Sequence, residues 1–150
     1  MQDIDNEVLD GTSVSEALHR AAARVDGSLD QQLATLGLTS RQFLLLKSVA
    51  LHDGINQMGL TDLTGIDRST MTDMVGRLID RGLLSRTKNP RDARAYIVRI
   101  TDSGRRQMAL AMPIVARIDD VVLKGIEPAP RQAFLLTLQA ICAVPDRPGP

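Results

Sequence analysis

Aromatic residues are almost missing from this chain of 150 residues: there is no Trp, one Tyr and two Phe. Its core must therefore be aliphatic, built from Leu, Ile, Val, Met and Ala. One Cys excludes an intrachain disulfide framework and fits a reducing compartment. That Cys and two His, His19 and His52, are too few and too far apart in sequence for a metal centre. No apolar run approaches the roughly 18 residues of a membrane-spanning helix. Met1 to Asp10 is acidic rather than basic-then-apolar, so no secretory signal is expected. Together these absences lead to the expectation of a cytoplasmic protein without membrane attachment. There is no Gly-rich phosphate loop, no His-containing nucleophile constellation and no paired carboxylate motif. Neither an enzyme nor a bound cofactor is expected.

What is present is ordinary in bulk and uneven in arrangement. Hydrophobic residues make up 43% and charged residues 24%, which suits one globular domain with a real core. Net charge is zero. Between Thr39 and Arg106, however, twelve Lys and Arg face seven Asp, an excess of five positive charges. The remainder carries six basic and eleven acidic residues, an excess of five negative charges. A basic centre between acidic ends is the asymmetry expected when only one part of a chain meets phosphate.

Capping signals and apolar periodicity divide the chain into helices. Residues 1–12 read as frayed. Ser13-Val-Ser-Glu16 is a capping box, and Val14, Leu18, Ala21, Val25, Leu29, Leu33 and Leu36 follow at helical steps, closed by Gly37. This stripe is longer than a small module needs and invites a partner helix. Thr39-Ser-Arg-Gln42 is a second box, with Leu38 and Phe43 as its hydrophobic staple. The helix it starts stops near His52-Asp53-Gly54. Ile55 to Gln57 suits a strand of one or two residues, and Leu60 to Leu63 a short helix before the Gly65 turn. Asp67 caps the next helix, Arg68 to Arg81. This helix buries Met71, Met74 or Val75, Leu78 and Ile79, and shows Arg68, Ser69, Thr72, Asp73, Gly76 and Arg77 on its other face. Leu84 to Lys88 and Ala95 to Thr101 read as strands joined by the polar link 89–94. Thr101 or Asp102 caps a long fifth helix striped by Met108, Met112, Val115, Ile118 and Val122, with Pro113 expected to kink or break it. A last helix carries Ala133, Phe134, Leu138, Ile141 and Cys142, the thiol being expected in an apolar interior. Val144 to Pro150 is Pro-rich and expected to be disordered.

A helix with a polar stripe, a Gly cap and two strands joined by a basic loop outline a winged helix-turn-helix. The helix fits a major groove, and the loop reaches neighbouring phosphates or the minor groove. The order of motifs then points to a family. Gly37-Leu-Thr-Ser-Arg-Gln-Phe43, Ser69-Thr-Met-Thr72, Leu78-Ile-Asp-Arg-Gly-Leu83, Asp92-Ala-Arg94 and Ile100-Thr-Asp-Ser-Gly104 closely resemble the MarR family of bacterial regulators. The resemblance covers nearly the whole chain in element order.

The resemblance implies a mainly α fold with a small β-wing, six helices, and a triangular homodimer. It implies one domain over 1–150, in which 13–37 and 102–143 are dimerisation helices and 38–101 is the DNA-binding lobe. Double-stranded DNA is the implied partner. By this likeness Arg94 enters the minor groove and Asp92 orients it, while Ser69, Thr70, Thr72 and Arg77 lie on the recognition helix. A narrow minor groove has enhanced negative potential, which favours an inserted Arg. Arg68, Arg86, Lys88, Arg91 and Arg99 are further candidates for phosphate contact. Asp73 stands where relatives often carry a basic residue. It could accept from cytosine N4, repel phosphate, or pair with Arg77 one turn on. The resemblance also implies a repressor of a palindromic operator, released by a small anionic aromatic effector. An aromatic carboxylate is expected in a cleft lined by His19, Phe43 and Met112, with Arg20 or Arg24 near the anion. Two alternatives stand beside this reading: a winged module that docks on a protein, and a DNA binder with no small-molecule ligand.

Overall fold

Local capping sets where the helices begin. The computed structural model describes residues 12–143, with the backbone but not the side chains of Ala93 and Arg94. The expectations for residues 1–11, for the Pro-rich tail and for the Arg94 side chain lie outside the described residues. Helix α1 spans Val14–Leu33 and begins with the Ser13/Glu16 box, in which the Ser13 N–H donates to Glu16 Oε2 at 2.8 Å. A 3-10 turn, Ala34–Leu36, continues it to Gly37, whose φ of 65° is the left-handed stop that glycine tolerates. Helix α2, Ser40–Leu51, begins with the Thr39/Gln42 box, and the staple residues Leu38 and Phe43 are both buried. Strand β1 is Ile55–Asn56. Helix α3, Gln57–Thr64, is longer than the expected Leu60 to Leu63 because Asn56 caps it, accepting from the Gly59 N–H at 2.8 Å. Helix α4, Arg68–Asp80, begins at Asp67, which accepts from the Thr70 N–H at 2.9 Å.

The wing is more regular than its polar sequence suggests. Strands β2, Leu84–Asn89, and β3, Asp92–Ile100, run antiparallel, and β1 adds to the far side of β3. The expected six-residue link shrinks to a turn at Pro90 and Arg91. Ladder bonds come from the backbone, so pairing continues past the apolar residues. The register shifts after Lys88↔Tyr96 to Asn89↔Asp92, and the residues between Asp92 and Tyr96 form an irregularity on β3.

Helix α5, Asp102–Leu123, is capped by Thr101, which accepts from the Gly104 N–H at 3.0 Å. It continues through Pro113 rather than breaking there. The cost is the bond that the Ala109 carbonyl would have received, and both residues are exposed, so water can serve that carbonyl. Its buried positions are Gly104, Ala111 and Ile118, seven residues apart. The expected stripe is kept in part: Ile118 is buried and Met108 and Val115 are half-buried against the core, whereas Met112 and Val122 are exposed and Ala111 faces inward. Helix α6, Arg131–Cys142, buries no residue, so Cys142 is exposed rather than interior.

One aliphatic core fills the space among the C-terminal end of α1, helices α2 to α4, the sheet and the first half of α5. Leu33, Leu45, Leu46, Leu60, Met71 and Leu78 are fully enclosed there. Among the described residues no helix is long and apolar enough to cross a membrane.

The tightest seam lies where α4, the wing and α5 meet. The Leu83 carbonyl accepts from the Thr101 N–H at 3.1 Å, and the Thr101 hydroxyl donates to the Gly82 carbonyl at 2.7 Å, with the Leu83 carbonyl 3.1 Å away. Gly104 packs directly over that carbonyl and beside the Ile100 side chain, leaving no room for a Cβ. Gly104→Ala should therefore destabilise the fold by about 1–3 kcal/mol, the usual range for overpacking, despite alanine's better helix propensity. Urea denaturation would show it as a lower midpoint with an unchanged slope. A second expectation concerns acid. Hydrogen bonds from Thr70 hold the Asp67 carboxyl below its ordinary range. Its contribution to stability is thus complete above the ordinary carboxylate pKa and fades as pH falls through the lowered value. The advantage of wild type over Asp67→Asn should shrink below about pH 4, read from urea midpoints against pH.

Candidate nucleic-acid interface

The exposed face of α4 is polar along its whole length. Arg68, Ser69, Thr72, Asp73 and Arg77 are exposed, while Met71, Met74, Val75 and Leu78 anchor the opposite face in the core. Thr70 is half-buried, its N–H occupied by Asp67. The Thr72 hydroxyl donates to the Arg68 carbonyl at 2.9 Å, leaving its lone pairs and methyl group at the surface. Nothing crowds the space above Gly76. Among the described residues no ion pair joins Asp73 to Arg77, so that intrahelical pairing is absent here.

The wing supplies positive charge beside this face. Arg86, Lys88 and Arg91 are exposed. Asn89 shapes the turn by accepting from the Arg91 N–H at 2.9 Å. Asp92 is exposed at the start of β3. The sheet carries two further arginine contacts. The Arg86 guanidinium stacks over the Tyr96 ring, 4.9 Å from its centroid. Arg99 donates to Asp53 at 2.6 Å, tying β3 to the loop after α2. Arg99, expected as a further candidate for phosphate contact, is instead engaged by that carboxylate.

The lobe is also tied to the helices outside it. Arg81, just past α4, donates to the Gly37 carbonyl at 2.7 Å. Gln107 on α5 donates to the neighbouring Leu36 carbonyl at 2.5 Å, and the Asp30 carboxylate of α1 accepts from the Ser40 N–H at 2.5 Å. Sequence reasoning missed these contacts. Their partners are up to 71 residues apart, and no local pattern marks them.

The residues expected to form an effector cleft do not converge. His19 and Arg20 edge one shallow depression with Thr12 and Glu16. Arg20 and Arg24 edge another with Thr12, Ala17, Ala21 and Ala23. Phe43 belongs to the lobe core, as the staple of α2 requires, and Met112 is exposed because Ala111 takes the inward position. An apolar cleft lies elsewhere, between helices. It is lined by Leu18, Val25, Val122, Phe134, Leu135 and Leu138, from α1, α5 and α6, with Asp26 and Asp119 also on its wall.

Comparison with known proteins agrees with this geometry. The model of the MarR family matches residues 38–96, the lobe that carries α4 and most of the wing. The chain is 29% identical to the HTH-type transcriptional repressor NicR of Pseudomonas putida, over 97% of this chain and 93% of that protein. It is 30% identical to the HTH-type transcriptional regulator YdcH of Bacillus subtilis, over 87% and 90% respectively. Among solved structures, the repressor CouR bound to a 23-mer DNA duplex superposes with a TM-score of 0.80 at 32% identity, covering 93% of this chain and 99% of that one. BpsR of Bordetella bronchiseptica, whose DNA binding is regulated by 6-hydroxynicotinic acid, gives a TM-score of 0.83 at 25% identity, covering 92% and 98%. The whole-length likeness and the winged lobe lead to one conclusion: this chain belongs to the MarR family of transcriptional regulators, which are not enzymes.

Proposed function

We propose that this chain acts as a homodimer that binds double-stranded DNA at a palindromic operator and represses transcription there. The observation that carries the reading is the polar face of α4, rigidly backed by the core and flanked by the basic wing. In this reading Arg68, Ser69, Thr70, Thr72, Asp73 and Arg77 meet the major groove. Arg86, Lys88 and Arg91 take phosphates, and Arg94, with Asp92 beside it in sequence, reaches the minor groove. Asp73 is free of Arg77 and can select bases through cytosine N4 rather than add to total affinity.

The dimer reading rests on what one chain leaves uncovered. Leu135, Leu136 and Ile141 of α6 and Val121 and Val122 of α5 are exposed beside the apolar cleft. Exposing such surface costs about 25 cal/mol per Å², and a second copy removes the cost. Residues 13–37 and 102–143 are thus assigned to dimerisation, and 38–101 to DNA. CouR on its duplex and the repressor NicR support the DNA and repressor parts of the reading. BpsR supports a small anionic aromatic effector. Such a ligand would favour a spacing of the two winged lobes that no longer matches two half-sites.

Binding to a duplex selected from a randomised pool should fall steeply with salt. The slope in log–log coordinates should be about −0.9 for each phosphate neutralised. Salt-independent or undetectable binding in fluorescence anisotropy would refute the reading and favour a protein-docking module. Pyridine and benzene carboxylates should raise the melting temperature and weaken the same DNA complex if the effector class is right. A panel that shifts neither quantity at millimolar concentration would leave a DNA binder without that class of signal.

A further inference from the structure

We propose that Tyr96 is a positioning residue for DNA binding: its ring holds the Arg86 guanidinium ready for a backbone phosphate beside the recognition helix. The inference rests on the duplex-binding reading and adds how one of its contacts is prepared.

The placement follows from strand register. Lys88 faces Tyr96 and Arg86 faces Val98 across the β2–β3 ladder. Arg86 and Tyr96 are therefore diagonal neighbours on one face of the sheet, within reach of long side chains. Leu84, Val98 and Ile100 of the same face enter the core. As the wing extends beyond the core, that face passes from apolar packing to Arg86, Tyr96 and Lys88. β2 follows α4 after three residues and packs against it, so the strand that carries Arg86 belongs to the same lobe as that helix.

The chemistry of the pair suits a phosphate. Stacking engages the flat face of the guanidinium and leaves its rim of N–H donors free to fork two anionic oxygens. No carboxylate competes: among the described residues the ion pair formed by a wing arginine is Arg99 with Asp53. Tyr96 is the chain's sole Tyr and is 46% exposed, so interior packing does not account for it. A long arginine held by a ring has already lost much of the rotamer freedom that binding would otherwise remove.

The test uses the full chain and a mixed-sequence duplex at low salt, since phosphate contacts do not depend on sequence. Tyr96→Phe should bind within about twofold of wild type, because the ring face is kept. Tyr96→Leu should bind about two- to fivefold more weakly per wing, with a nearly unchanged melting temperature. Arg86→Ala should weaken binding and reduce the salt slope by about one phosphate's worth. In the Arg86→Ala background, Tyr96→Leu should add nothing. Three results would overturn the assignment: Tyr96→Leu binding like wild type, the same loss with Arg86 absent, or Tyr96→Phe as weak as Tyr96→Leu. The last would mean that the hydroxyl itself contacts DNA. If Tyr96→Leu melts early, Tyr96→Met replaces it in the same cycle. A wild-type chain with no salt-dependent binding would instead refute the duplex reading, and the positioning role with it.

Discussion

A single carbonyl, that of Leu83, holds the architecture together. It lies where the recognition helix has ended and the wing has not yet begun. The Thr101 N–H donates to it, the Thr101 hydroxyl bonds the preceding Gly82 carbonyl beside it, and the backbone of Gly104 covers it so closely that a methyl group has no place. Thr101 in turn starts α5, the long helix that leaves the lobe. The angle between the wing and that helix is therefore set by backbone hydrogen bonds and contact, with no long side chain able to relax it. A residue without a Cβ at that one position lets the lobe and the outer helices meet without strain.

A second junction ties the same two parts from the other side. The carbonyls of Leu36 and Gly37 are consecutive, yet one accepts from α5 and the other from the end of α4. Asp30 of α1 adds a bond to the start of α2. The connector between α1 and α2 is thus fastened to both structural parts. Movement of the outer helices relative to one another would be felt at the C-terminal end of the recognition helix. The lobe is not a bead on a flexible string, and this suits the proposed dimer, whose two lobes would keep a set separation.

Helix starts were the most legible part of the fold, because a cap and its target lie three residues apart. Ser13 with Glu16, Thr39 with Gln42, and Asp67 with Thr70 all form as their spacing suggests. The polar face of α4 was legible for the same reason, since its period is local. Asn56 was overlooked as a cap, and α3 was read too short. What could not be read depends on partners distant in the chain. Only the strand register brings Arg86 to Tyr96, and only the fold brings Asp53 to Arg99. The exception in the α5 stripe has a similar origin. Helical spacing favoured the bulky Met112, but close packing selects the smaller Ala111. Phe43 stands apart from the other expected effector residues because its staple role commits it to the core.

The scarcity of aromatic residues has a practical consequence. With no Trp in the chain, Tyr96 is the only strong intrinsic fluorophore, and it lies on the wing rather than in the core. Ultraviolet emission from the unlabelled protein is therefore a local optical signal from the flank of the wing. It reports the electronic surroundings of one ring against an otherwise dark background. A global unfolding curve recorded by that emission follows the wing first and the aliphatic interior only through it.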